Sequence, residues 1–218
     1  MAGGHARYEI LPGLLLGFHG TDTKTAERIL SGEEHLKPSS NSYDWLGHGI
    51  YFWEYSPQRA LDFAEQAITN PRITKGKVLK STVIGAVIDP GVCLNLLEAS
   101  ALAQLKQAYE LLTLLETPPK NVGGIDKRQR HLDCAVIELL HNLRSRPDEQ
   151  TGIALPAYQT VRGAFWEGDE LYPNAGFREK SHVQLVVRDI NGRNQSSAPL
   201  VQATRRSRAR WGWTGQWA

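Results

Sequence analysis

Apolar residues occur along this chain in short runs closed by turn formers, and in longer stretches spaced at three and four. The runs predict strands and the spaced stretches predict amphipathic helices. "LLLGFHG", residues 14–20, reads as a short buried strand ended by Gly20. "TDTKTAERILSG" follows as a helix: Thr21, Asp22 or Thr23 can cap it, Ala26, Ile29 and Leu30 face inward, and Gly32 stops it. "GIYFWE", residues 49–54, predicts a second buried strand. "SPQRALDFAEQAITN" predicts a helix with Ser56 as N-cap and Pro57 at its first position, and Leu61, Phe63, Ala64 and Ile68 supply its apolar side. A strong strand runs from Val83 to Ile88 into the turn Asp89-Pro90-Gly91. "LNLLEASALAQLKQAYELLTLLE" is the longest helix and "HLDCAVIELLHNLR" another. "YQTVRGAFWEG" and "SHVQLVVRDI" are strands separated by the loop "DELYPNAGFREK". Helices between well-separated strands, without regular βαβ alternation, predict an α+β fold.

Composition narrows the picture modestly. The 218 residues, 41% hydrophobic and 22% charged, suit one large domain or two small ones, and a single core of this size folds without staples. Cys93 and Cys134 make no disulfide framework and sit in no metal-ligand spacing, which fits a reducing compartment and no metal. "ILPGLLLGF" is too short and too broken by Pro12 and Gly13 for a secretory signal, and no stretch is long enough for a membrane span. The expectation is a cytoplasmic protein with no membrane partner; signal-less export leaves the same signature. A net charge of +2 does not by itself imply nucleic acid. From about Asn191 the chain turns polar, then Arg- and Trp-rich in "RRSRARWGWTGQW", a tail suited either to an anionic partner or to no specific partner.

Two segments carry candidate chemistry. In "FHGTD" and "WLGHGIYFW" a His-Gly step adjoins an apolar run. Gly20 admits close approach to its backbone, whose N–H and C=O can hold a ligand amide. Gly47 and Gly49 allow tight entry into a strand, and Tyr51 offers a flat ring and a hydroxyl. A turn and a core strand account for each segment alone. The pairing of the two is what needs explaining, with Tyr51 falling 32 positions after His19.

This layout, with a Ser/Pro loop before "GHGIYF" and a Ser-led helix after it, resembles the diphtheria-toxin-type, PARP-like ADP-ribosyltransferases. The resemblance covers roughly residues 14–68 and the last strand. It implies a split-sheet transferase core over residues 1–190, a helical insertion over about 94–146 and a C-terminal tail over 191–218. It implies NAD as co-substrate. His19 would contact the adenine-side ribose and Gly20 the nicotinamide amide, with Tyr51 and Phe63 walling the nicotinamide ring. Thr21, Ser39, Ser40, Asn41, Gly49 and Ser56 fall in the family's cofactor-contacting segments. At the family's catalytic glutamate, "VQLVVRD" places Gln184. A neutral amide can hydrogen-bond but is no base, which fits mono-ADP-ribosylation rather than chain elongation. A carboxylate from Glu167, Glu170 or Glu179 could complete the site, each being equally a solvated loop charge, and His182 flanks the same strand as a satisfied or surface histidine.

The expected function is therefore mono-ADP-ribosyl transfer from NAD to a protein or nucleic-acid acceptor, with release of nicotinamide, in the manner of a bacterial toxin or defence effector. An NAD glycohydrolase and an inactive NAD- or ADP-ribose-binding module are the alternatives. The helices between Leu94 and Arg146 either cover the cleft or simply pack the core; their apolar stripe favours the core.

Overall fold

The structure, a computed structural model, describes residues 13–74, 76–115, 117–123, 129–147, 150 and 152–188, and the backbone of 202–206. The elements in chain order are β1 (Leu15–Asp22), α1 (Thr23–Ser31), β2 (Ile50–Glu54), α2 (Pro57–Thr69), β3 (Ser81–Ile88), β4 (Cys93–Asn95), α3 (Ala99–Leu115), α4 (His131–Arg144), β5 (Thr160–Phe165), β6 (His182–Val187) and β7 (Gln202–Arg206). The fold is mixed α+β. Its strands form one seven-stranded sheet in the order β4-β5-β6-β2-β1-β3-β7. Only β4 and β5 pair in parallel; the other neighbours are antiparallel.

Strand alternation sorts the core into two faces. Ile50, Phe52, Leu185, Val187, Ala86 and Ile88 fill one. On the other, Leu94, Val161 and Val186 pack beneath Ala101, Ala108 and Leu112 of α3 and Val136 and Leu140 of α4. On that same face α2 lays Ala60, Leu61 and Phe63 against Phe18, Trp53 and Val83. The sheet surface above β2 and β6 is thus flanked by α2 on one side and the α3–α4 pair on the other. The two helices of the expected insertion are structural: they close the core over β4, β5 and β6.

Three local expectations change. β1 does not stop at Gly20 but runs to Asp22, because Asp22 serves both the helix and the sheet. Its carboxylate caps α1 through Lys24 N–H (2.9 Å) and also takes Leu79 N–H (2.8 Å) and Lys80 N–H (3.0 Å). The long helix expected from Leu94 begins only at Ala99, since Cys93–Asn95 is drawn off as a strand beside β5. Within the C-terminal tail, Gln202–Arg206 pairs along β3 as the sheet's outer strand. Arg208, Arg210, Trp211, Trp213 and Trp217 lie outside the described residues. Among the described residues no helix is long and apolar enough to cross a membrane.

Candidate functional site

The sheet is narrowest in its pairing between β1 and β2. Tyr55 N–H donates to Leu16 C=O (2.9 Å), Gly17 and Phe18 pair with Glu54 and Trp53, and there the ladder ends. Backbone groups alternate in direction along a strand. Leu16 points its carbonyl at β2, so Phe18 and Gly20 point their N–H and C=O the same way. Gly20 lies past the last ladder pair, opposite the start of β2, with its amide and carbonyl turned into the opening.

His19 spans that opening. Its Nδ1 lies 2.8 Å from the Tyr51 carbonyl oxygen. A carbonyl only accepts, so Nδ1 carries the proton and Nε2 the lone pair in the neutral ring. The ring meets Phe52 edge-on at 5.9 Å, on the sheet face opposite to Phe18 and Trp53. Burial lowers the His19 pKa, opposed by the bond to Tyr51.

Tyr51 points to the helical face. Its hydroxyl accepts from Leu46 N–H (3.1 Å) and donates to Gly47 C=O (2.8 Å), tying down the turn that precedes its own strand. Burial, with the Asp44 carboxylate nearby, raises its pKa well above the ordinary tyrosine value. Phe63, expected opposite Tyr51, packs on Trp53 instead, ring centroids 5.1 Å apart. The reason is period: residues 51 and 53 share a face of β2, and α2 crosses nearer to the second of them.

Gln184 sits opposite Trp53 in the β2·β6 register, and only 7% of it is exposed. Trp45 Nε1 lies 2.6 Å from Gln184 Oε1. An indole N–H can only donate, so this contact decides the amide's orientation. The oxygen is occupied, and the NH2 has no partner among the described residues. Trp45 reaches Gln184 by lying over Gly163, where a side chain would collide with its ring, and it abuts Phe165 at 4.9 Å. Arg130 stacks its guanidinium over Phe165 (4.4 Å) and Trp45 (5.5 Å).

Two residues earlier on the same face of β6 stands His182. It stacks on Phe165 (5.7 Å, 23°) and lies 6.2 Å from Trp53. Its Nδ1 donates to Lys180 C=O (2.7 Å), with Glu167 Oε2 3.8 Å away. Glu167 also accepts from Arg59 of α2 (2.9 Å), which pairs with Asp62 (3.0 Å) as well. Burial lowers the His182 pKa, partly offset by the bond to Lys180. Trp53 is 6% exposed, and its buried Nε1–H has no partner among the described residues.

Of the three loop glutamates, the fold brings Glu167 to this group. Glu170 accepts from Asn174 N–H (3.0 Å) within the exposed loop, and Glu179 is exposed. Ser39 exchanges backbone bonds with Gly49 (2.7 and 3.0 Å), and Asn41 donates its amide to Ser39 Oγ (2.9 Å), so both residues shape the turn. Ser40 is exposed, and Thr21 pairs with Thr82. Ser56 stands at the start of α2, but its side chain makes no capping bond.

That turn is held from behind by α4. Glu138 accepts from His48 N–H (2.8 Å) and takes Arg188 in a two-pronged pair (2.6 and 2.9 Å). Gly47, at φ 76°, has no room for a side chain against Glu138, Arg188 and Ile137.

Sequence reasoning missed Trp45, Trp53 and Arg59 as members of the group. The alternation of β6 does place residues 182 and 184 on one face, so His182 was within reach. The Trp45 bond was not, because it joins positions 139 residues apart.

No family model and no solved structure matches the chain. One similar protein is an uncharacterized protein of Methanocaldococcus jannaschii, MJ0359, 54% identical over 37 residues. That match takes in 17% of each chain.

Proposed function

We propose that this protein is an NAD-dependent mono-ADP-ribosyltransferase. The observation that carries the reading is the opening between β1 and β2, where Gly20 turns an N–H and a C=O toward β2 beyond the last ladder pair. A primary carboxamide offers one acceptor oxygen and one NH2, the complement of those two backbone groups. The resemblance of "FHGTD" and "GHGIYF" to the ADP-ribosyltransferases leads to the same assignment. An ADP-ribosyltransferase-like core, with α3 and α4 as its helical insertion, is the matching fold proposal.

In this reading Gly20 holds the nicotinamide carboxamide, and Tyr51 and Trp53 line the ring's path on the helical face. The Trp53 Nε1–H, buried without a partner among the described residues, suits an acceptor oxygen of the bound dinucleotide, since such a donor is costly to leave unmatched. His19 holds the opening in shape through the Tyr51 carbonyl. Gln184 presents its NH2 to a ribose hydroxyl. The reaction breaks the bond between nicotinamide nitrogen and the ribose anomeric carbon, and neutral nicotinamide leaves with the electron pair. A lone pair of the acceptor forms the new bond to that carbon, and the acceptor loses a proton. Gln184 cannot take this proton: its oxygen is held by Trp45 and an amide is no base.

The test uses NAD labelled in its adenylate phosphate and a cell extract separated into protein and nucleic-acid fractions, with nicotinamide release followed in parallel. Label retained on one fraction, and reduced at least ~100-fold in His19→Ala and Gln184→Ala, is the expected result. Release without retained label makes the protein a glycohydrolase. No release from protein that still binds NAD leaves a binding module.

A further inference from the structure

We propose that His182 is the general base of this site, accepting the proton that Gln184 cannot. The inference rests on the transferase reading above and extends it.

The geometry separates the two roles along one strand. Gln184 and His182 are two positions apart on β6 and project from the same face, about 7 Å apart along the strand. Trp45 fixes Gln184 as a donor. His182 is fixed the other way round. Its Nδ1–H is committed to the Lys180 carbonyl, so in the neutral ring Nε2 must carry the lone pair. Among the described residues Nε2 has no hydrogen-bond partner. The ring is held flat on Phe165 and only 5% of the side chain is exposed, so its orientation is set by packing. Behind Nδ1 stands the Glu167 carboxylate, itself anchored by Arg59. A base with a fixed tautomer and an oriented carboxylate behind it is an arrangement suited to taking a proton from a hydroxyl.

The step balances without a further reactant. The acceptor O–H gives its proton to His182 Nε2 as its oxygen bonds to the anomeric carbon. Nicotinamide leaves with the electrons of the broken C–N bond, and the imidazolium releases its proton to solvent. The charged groups facing the ring are Glu167 from the loop after β5 and Arg59 from α2; Trp53 and Phe165 cover it from β2 and β5 without charge.

The experiment measures nicotinamide release as a function of pH, with NAD alone and with NAD plus extract, for the full-length wild type, His182→Ala, Glu167→Gln and His182→Ala/Gln184→Glu. NAD binding is measured alongside. The wild type should lose rate as pH falls through the His182 pKa, below the usual histidine range. His182→Ala should lower kcat by ~10²–10⁴-fold and remove that acid limb while NAD still binds. Glu167→Gln should move the limb to lower pH, because it removes the negative charge that favours the imidazolium, and this decides the matter if His182→Ala fails to fold. The double variant should recover part of the lost rate through a carboxylate at position 184. Unchanged rate and pH profile in His182→Ala, or an unmoved limb in Glu167→Gln, overturns the role of His182 alone. A wild type that releases no nicotinamide overturns the transferase reading and this inference with it.

Discussion

A β-carbon at Gly20 would lie 1.9 Å from the carbonyl oxygen of Ala60. The glycine is therefore required twice: α2 can approach β1 only because the side chain is missing, and the backbone at the same residue edges the opening to β2. We predict that Gly20→Ala destabilises the protein by ~1–3 kcal/mol or more, read as a lowered midpoint in urea. An unchanged midpoint would mean that α2 does not pack as described. Tyr51→Phe should behave differently. It keeps the ring but strips the hydroxyl from Leu46 N–H and Gly47 C=O, costing ~1–3 kcal/mol, with faster hydrogen exchange at Leu46 as the local sign. At this scale the sequence was legible in kind but not in orientation. The register that placed Gln184 opposite Trp53 follows from alternation along "HVQLVV". Which end of its amide is free depends on Trp45, which no local pattern connects to it.

Among the elements, α4 is the brace of the turn before β2. Glu138 lies under Gly47 and binds His48 and Arg188 together. Burial alone would raise its pKa, but the Arg188 guanidinium outweighs that and takes it down to about 2. Because the folded value is depressed, the pair's stabilisation is present above the unfolded value of 4.5 and is lost as pH falls from there toward 2. A double-mutant cycle of Glu138→Gln and Arg188→Gln at pH 7 should give a coupling of ~1–3 kcal/mol that shrinks at pH 3. Coupling that stays constant with pH would rule out the charge as its source. Most elements could be foreseen from periodicity, and the exceptions have a common cause. β4 is three residues long and its apolar run merges with the helix that follows. β7 is polar, and a strand at a sheet edge need not carry a buried alternation.

For the molecule as a whole, buried histidines set its response to acid. Burial, with Arg188 nearby, takes His141 down to about 3, and His19 and His182 are lowered as well. A histidine kept neutral inside the fold gains a proton more readily when unfolded. Its contribution is full above the unfolded value of 6.5 and declines below it, by ~1.4 kcal/mol per pH unit for each such group. Unfolding free energy should therefore drop between pH 7 and pH 5, and His141→Phe, which keeps a ring beside Tyr158, should flatten the drop by ~2 kcal/mol. An equally steep decline in that variant would assign the effect to other groups.

The strand order has a consequence for how the protein is made. Apart from β7, which returns to the edge of β3, the sheet consists of two halves, β2-β1-β3 and β4-β5-β6, joined by Ile50 against Val187 and Trp53 against Gln184. Partners so distant in the chain meet late, after contacts between segments closer in sequence. During synthesis the ribosome has emitted His19 and Tyr51 long before it reaches Gln184 and His182. A nascent chain thus carries two walls of the proposed cleft but no completed one. Until β6 has emerged, the proposed cleft lacks the wall that carries Gln184 and His182.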